Sequence, residues 1–505
     1  MIAKLMALSV RQRWAVLFLF LAIAGLGVWQ LTKLPIDAVP DITNKQVQIN
    51  TIDPRLSPVE IEKLVTYPIE ISLAGIPGLE TTRSISRNGF SQVTAIFTDD
   101  TDLYFARQQV GERLLQAGEN LPDGVQPQIG PVTTGLGEVV MYTVGYKNPD
   151  GKGAKKVANQ PGWQPDGSYL TPEGDILTDE VAKAGYLRTV QDWIVSPRLK
   201  SVGGVAGVDS IGGYAKTFVV EPDPTRLTSY GISYSELGEA LERANLAVGA
   251  NYYNRAGEAY LVRVDARVRS VDEIRNAVVA TRGGVPVTVG QLANVRIGGD
   301  LRTGAGSMNG KEAVIGTVLM LIGQNSRTVA EDVSAKIAQI SKTLPPGVEV
   351  KVVLDRAKLV NATVGTVEKN LTEGALLVAA ALFFLLGNWR AAIIAVLVIP
   401  FSFLMMAMGM NAFHVPGNLM SLGALDFGLI VDGAVIIIEN CLARLAHRQE
   451  HEGRLLNLRE RLEETMRASQ EMIKPTVFGQ AIILLAFAPL LMFTGLFVLV
   501  YAGES

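Results

Sequence analysis

The sequence contains a single cysteine, Cys441, so no internal disulfide framework holds any part of it together. It has three histidines, His414, His447 and His451. The last two have the i,i+4 spacing of a zinc-protease helix. The segment His447-Arg-Gln-Glu-His451 nevertheless lacks the glutamate that must follow the first histidine, and both read as solvated residues. Charge of either sign is in short supply: 46 Lys and Arg stand against 49 Asp and Glu, a net −3, which implies no nucleic acid or other polyanion as partner. No nucleophile, base and orienter set stands out in the polar part of the chain, which makes an enzyme the weakest class. The glycine-rich run at 201–213, SVGGVAGVDSIGG, is no dinucleotide fingerprint, because no phosphate-cradling helix follows its glycines. Turns and close-packed strands account for it better.

What the chain does have is concentrated apolar sequence. Its 505 residues are enough for more than one domain. A basic N-terminal stretch, 1–13, carries Lys4, Arg11 and Arg13 and precedes the apolar segment 14–34. That segment exceeds a signal-peptide core and shows no clear cleavage site, so it reads as a first transmembrane helix running from inside to outside. Further apolar runs occupy 370–389, 391–411, 419–440 and 475–496. The tight link Gly387-Asn388-Trp389-Arg390 implies an antiparallel hairpin, and Pro400 predicts a kink in the third span. The 411–418 link has no Lys or Arg, whereas 441–474 carries Arg444, Arg448, Arg454, Arg459, Arg461, Arg467 and Lys474. By the positive-inside rule that segment is a cytoplasmic loop.

Residues 35–369 contain no membrane-length run, and strand-like and helix-like patterns alternate through them. Residues 46–52 read as a strand. Ser57-Pro58-Val59-Glu60 is a capping box with proline at the first helical position. Residues 82–87 and 91–97 read as strands around the hairpin signal Asn88-Gly89, and 102–116 as a helix. This order predicts a ferredoxin-like βαββαβ unit over about 40–135. The same grammar recurs, with capping boxes at Ser233/Glu236 and Ser270/Glu273, strands at 285–289, 313–321 and 348–354, and a helix at 328–341. A second αβ subdomain is therefore expected over 136–180 and 276–360, with 180–275 inserted into it. The Gly-, Pro-, Lys- and Asp-rich stretch 147–174 reads as a loop or projecting excursion. The predicted fold class is membrane α+β: a polytopic α-helical bundle of five spans with a large extracytoplasmic block.

The fourth span, LMSLGALDFGLIVDGAVIIIEN, carries Asp426, Asp432 and Glu439. A carboxylate at the bilayer centre costs roughly 2.5–3.5 kcal/mol on insertion scales, and such residues mark ion or proton pathways. At 100° per residue, Asp432 and Glu439 fall within about 20° of one another, and Asp426 about 120° from Asp432. Gly423, Gly428 and Gly433 let another helix approach closely.

With one large exported block after a first helix and acids in the fourth, the chain resembles the first half of a resistance–nodulation–division (RND) pump. The likeness is most specific at Asp426-Phe-Gly, Asp432-Gly-Ala and Glu439-Asn440, the pattern of the heavy-metal efflux branch, the CzcA/CusA family. The segments 34–51, 201–214 and 221–233 support it. The drug-exporting branch has two adjacent aspartates in this helix, where Gly433 stands here. The resemblance implies proton antiport, with Asp432 as the principal protonation site and Asp426 and Glu439 assisting. It implies export of Zn, Co or Cd type cations across the bacterial inner membrane, and no cofactor beyond transported metal and proton. The implied partners are a homotrimer, a periplasmic adaptor, an outer-membrane channel facing 180–275 and the lipid bilayer, with no nucleic acid. Glu138, in GLGEVVMYTV, is a candidate metal ligand; an exposed strand-edge acid is the alternative. Met405, Met406, Met408 and Met410 admit either a soft-metal ladder or ordinary apolar packing. After MFTG at 492–495 the tail 497–505 departs from the family pattern, so a truncated half is expected, without the partner lysine of a tenth helix. A drug or lipid exporter of the superfamily and a non-transporting assembly or export factor are the competing readings.

Overall fold

The computed structural model describes residues 8–34, 43–265, 267–300, 304–413, 417 and 427–487. The chain divides into two compact units, one of residues 1–139, 320–331 and 355–505, the other of 140–319 and 332–354.

In the first unit, helix α1 (Arg13–Lys33) precedes β1 (Lys45–Ile52). Helix α2 follows in three consecutive pieces, Pro58–Ile61, Glu62–Thr66 and Tyr67–Leu73. Its start is the predicted capping box, with the Ser57 N–H donating to the Glu60 carboxylate at 2.9 Å. The middle piece is π-wound: Tyr67 N–H reaches back five residues to the Glu62 carbonyl. The cause is Pro68, which has no N–H and whose ring would strike the carbonyl four residues back in a regular turn. Strands β2 (Leu79–Arg87) and β3 (Phe90–Phe97), helix α3 (Leu103–Gly118) and β4 (Gln128–Ile129) complete the unit's sheet, in the order β2-β3-β1-β4. This is the split-βαβ topology read from the sequence. Alternation in β1 and β3 turns Val47, Ile49, Val93 and Ala95 onto Ile61, Val65 and Ile69 of α2 and Ala106, Val110 and Leu114 of α3.

The second unit repeats the plan. Its main sheet has the order β19-β5-β18-β9. The strands are β5 (Glu138–Tyr146), β9 (Val205–Ile211), β18 (Val314–Met320) and β19 (Val348–Asp355). Between β5 and β9 runs α4, again in three pieces, Glu180–Val190, Gln191–Val195 and Ser196–Lys200. Its π-wound middle piece again ends two residues before a proline, here Pro197. Helix α9 (Ser326–Ile340) joins β18 to β19. The structure thus assigns 180–211, expected to lie in the inserted region, to the second αβ layer. The glycine run at 201–213 begins just past the end of α4 with a turn at Gly204 (φ 84°) and continues as strand β9. The insertion itself opens with β10 (Lys216–Pro222) and closes with β15 (Ala293–Gly299), which pair antiparallel, Val220 opposite Val295. Leu227, Leu237, Ile274, Val287 and Leu292 give it a core of its own. The Ser233/Glu236 box is reciprocal, whereas at Ser270 the Glu273 carboxylate takes the Arg269 N–H instead.

The stretch 147–174 differs from the expected loop. Short strands β6 (Gly162–Trp163), β7 (Tyr169–Leu170) and β8 (Ile176–Leu177) form a sheet there. Trp163 and Tyr169 are buried and lie tilted against Tyr146 at 5.2 and 5.0 Å between ring centroids. Two-residue strands leave no periodicity to read.

The helices of the first unit continue with α10 (Arg356–Leu386), α11 (Trp389–Val396), α12 (Val398–Ala412), α13 (Phe427–Glu452) and α14 (Leu458–Phe487). Gly387 in the left-handed region ends α10, and Asn388 caps α11 by accepting from Arg390 and Ala391 N–H, which makes the predicted tight link. Helix α11 breaks from α12 at Leu397, as Pro400 demands by blocking the carbonyl of Val396. Helix α10 starts well before residue 370, because its polar first half gives no membrane-type signal.

Candidate functional site

Among the described residues, two helical runs are long and apolar enough to cross a membrane, Arg13–Lys33 and the α11–α12 run Trp389–Ala412, broken at Leu397. They pack closely. A Cβ on Gly27 would fall 2.7 Å from that of Leu404, Phe20 stacks on Phe401 at 4.5 Å, and Asn411 hydrogen-bonds Gln30. The contacts rise together along both helices, so α1 and α12 run parallel. Their outer surfaces remain apolar, with Trp14, Phe18, Ile394 and Leu397 exposed, as do Phe384 of α10 and Phe478 and Leu485 of α14. Surface of this kind suits lipid rather than water.

Helix α13 presents three faces. Val435 and Ile438 pack into a cluster with Ala375 and Val378 of α10, Ala392 and Ala395 of α11 and Ile399 of α12. A second face meets α14. A Cβ on Gly433 would lie 3.1 Å from Thr476 Cγ2, so at this position only glycine lets the helices approach without displacing a neighbour. The Asn440 side-chain amide donates to the Ala468 carbonyl at 2.9 Å, and Cys441 Sγ lies 3.5 Å from Ser469 Oγ. The third face carries Asp432, Ile436 and Glu439, all exposed. Asp432 and Glu439, seven residues apart, share this open side. Gly428 lies in α13; Asp426 and Gly423 fall outside the described residues.

The other candidates do not converge. Glu138 is the exposed first residue of β5. Met405 is exposed and Met410 buried, so the methionines fan around α12 rather than forming one row. Among the described residues, no three His, Cys, Asp or Glu come together as a metal ion would require.

The segment expected as a cytoplasmic loop, 441–474, is largely helical. Helix α13 continues to Glu452, Gly453 (φ 61°) ends it, and α14 begins at Leu458. An unbroken series of ion pairs ties the two antiparallel helices. Glu471 meets Arg444 at 2.7 Å, Arg444 meets Glu464 at 3.2 Å, and Glu464 meets Arg448 at 2.9 Å. Arg448 meets Glu452 at 3.0 Å, Glu452 meets Arg454 at 2.7 Å, and Arg454 meets Glu460 at 2.8 Å. Sequence reasoning took these charges as orientation signals only. The spacings Arg444/Arg448 and Glu464/Glu471, each one face of a helix, were the available sign.

The chain belongs to the AcrB/AcrD/AcrF family, whose pattern matches residues 5–503. It is similar to the nickel-cobalt-cadmium resistance protein NccA of Alcaligenes xylosoxydans xylosoxydans, with 62% identity over 495 residues, covering 98% of this chain and 46% of that protein. It is 48% identical over 495 residues to the cobalt-zinc-cadmium resistance protein CzcA of Cupriavidus metallidurans, covering 98% of this chain and 44% of that protein. A crystal structure of a heavy metal efflux pump matches with a TM-score of 0.81 at 33% identity, over 97% of this chain and 44% of that one. The chain therefore spans less than half the length of these relatives. The heavy-metal branch read from the Asp426–Asn440 motif is the group to which these relatives belong.

Proposed function

We propose that this chain is one half of an inner-membrane secondary transporter that exports divalent heavy-metal cations in exchange for protons. The observation that carries the reading is the open face of α13, with Asp432 and Glu439 exposed on a helix otherwise packed on two sides. The relatives' names favour nickel, cobalt and cadmium, with zinc next. In this reading α1, α10, α11 with α12, α13 and α14 supply five spans. The parallel run of α1 and α12 supports that arrangement, since the first and third spans must cross in the same sense. Asp432 loads and releases the proton, Asp426 and Glu439 assist, and Gly423, Gly428 and Gly433 allow close helix packing. Each proton crossing supplies about 2.3 kcal/mol per 100 mV of membrane potential. Glu138 contributes an oxygen ligand to a cation path completed by the other half of the pump. The assembly is a trimer joined to a periplasmic adaptor and an outer-membrane channel, with the inserted region toward that channel.

The test is metal tolerance of pump-deleted bacteria expressing this chain with and without a supplied second half, across nickel, cobalt, cadmium, zinc, copper and silver. Rescue that requires both halves and disappears in Asp432→Asn is expected. Absence of rescue from a well-expressed, membrane-inserted pair would refute the proposal.

A further inference from the structure

We infer that Glu464 is a positioning residue that clamps the charged halves of α13 and α14 into one rigid body, so that any shift of the segment bearing Asp432 carries α14 with it. The inference rests on the proton-relay reading above. Among the described residues Glu464 is one of two buried carboxylates, the other being Asp53 in the first αβ layer. Its side chain is 8% exposed, yet each of its oxygens engages a different arginine of the facing helix: Oε1 accepts from Arg444 at 3.2 Å, Oε2 from Arg448 at 2.9 Å. Burial pushes its carboxyl upward, and the Arg448 and Arg444 hydrogen bonds pull it further down, to below the usual carboxylate range. The clamp is thus charged throughout the working pH range. A surface ion pair contributes little rigidity, but a buried carboxylate shared by two guanidinium groups cannot lose its charge without losing both of its links to the facing helix, which leaves Arg444 to Glu471 and Arg448 to Glu452.

The site adjoins a seam that is tight along its length. Asn440 bonds the fully buried Ala468, Cys441 lies against Thr465 and Ser469, and Gly433 meets Thr476. Asp432 lies next to Gly433 on the same helix. A displacement of α13 at Asp432 then has no slack at Glu464 into which to dissipate, and α14 must follow as a packed element with discrete arrangements.

Cys441 is the only cysteine of the chain and sits in the seam, one turn from Arg444, so its reactivity reports opening directly. The experiment measures the maleimide-labelling rate of Cys441 in the full chain held in lipid nanodiscs. Glu464→Gln, which keeps the shape and removes the charge, is expected to raise the rate about tenfold by lowering the free energy of local opening. Arg459→Gln, on an exposed pair outside the clamp, is expected to match the parent rate. A parent-like rate in Glu464→Gln overturns the clamp. Should that variant fail to insert, the pair Arg444→Lys with Arg448→Lys keeps both charges but loses the forked geometry, and the same rise is expected of it.

A second arm separates the clamp from the relay, using vesicles that contain the chain with the second half of a 62% identical relative. Cadmium-driven proton release should fall in kcat with KM unchanged for Glu464→Gln, and be abolished in Asp432→Asn. An opened seam with unchanged kcat overturns the positioning role and leaves the relay standing. Proton release retained in Asp432→Asn overturns the relay, and the positioning role with it, while the labelling result still decides the clamp.

Discussion

Replacing Gly316 by alanine should destabilise the second unit strongly. Gly316 lies on β18 beside Tyr142 of β5, and a Cβ there would fall 2.2 Å from Tyr142 Cζ and 2.5 Å from its hydroxyl oxygen. Carbon atoms rest about 3.5–4.0 Å apart, so the ring must retreat by more than about 1 Å. It has nowhere to go. Tyr142 is fully buried, and its hydroxyl donates to Gln191 Oε1 at 3.0 Å, while the equally buried Gln191 donates on to Ser210 at 3.0 Å. Burial raises the Tyr142 phenol well above its ordinary value, so the hydroxyl remains a donor at any working pH. Overpacking costs about 1–3 kcal/mol, and losing the donor to a buried carbonyl oxygen about 1–3 kcal/mol more. The two overlap in part, giving roughly 2–5 kcal/mol, or about 5–15 °C in the melting temperature of a unit of about 200 residues. Scanning fluorimetry of the purified chain in detergent reads this directly. Tyr142→Phe, which deletes only the hydrogen bond, should cost about 1–3 kcal/mol and melt between the two. A Gly316→Ala chain melting within about 2 °C of the parent would refute the argument that the slot is filled and rigid.

Gly27→Val should abolish the close approach of α1 and α12, since any Cβ there meets Leu404 at 2.7 Å; size-exclusion profiles of the solubilised chain should lose the monodisperse peak. Asp223→Ala removes the cap of the helix at Pro224–Tyr230, whose Thr225 and Arg226 N–H groups it accepts, and should cost about 1 kcal/mol in denaturant unfolding. Glu460, hydrogen-bonded by Arg454, has its carboxyl lowered from 4.5 to about 2. A depressed carboxylate contributes stability that is complete above its unfolded value and is lost as pH falls through the folded one. Helicity of the α13–α14 hairpin should therefore decline between about pH 4.5 and 2, and Glu460→Gln should flatten that part of a circular-dichroism titration.

The first αβ layer was legible because every local signal agreed: alternation in β1 and β3, the Ser57/Glu60 box, and Asn88-Gly89 between β2 and β3. The second layer carried the same signals, but its boundary was obscured at α4. That helix opens on Asp179 rather than on a capping box, and its π turn breaks the helical period. The glycines that follow read as turns and close-packed strands, a pattern that marks no subdomain boundary. The sheet around Trp163 and Tyr169 was invisible for a different reason, since it is held by aromatic contacts between residues distant in sequence. At the candidate site, the acids of α13 stood out by their cost in an apolar run, and the sharing of one face by Asp432 and Glu439 followed from helical geometry. The Arg444–Glu464–Arg448 clamp did not stand out, because charged residues between two spans carry an orientation signal whether or not they pair.

In the first αβ layer β2 passes to β3 through two residues, Arg87 facing Phe90 across the turn. In the second, the corresponding neighbours in the sheet are β9 and β18, which end and begin at Ile211 and Val314. A whole folded element with its own hydrophobic core thus occupies the place of a two-residue hairpin. Closing a longer loop costs only about 0.6 kcal/mol per doubling of length, and an insert that folds on itself returns its ends close together. The duplicated scaffold therefore treats this turn as a port: whatever is plugged in there can diverge, enlarge or be exchanged without renegotiating the sheet that holds it.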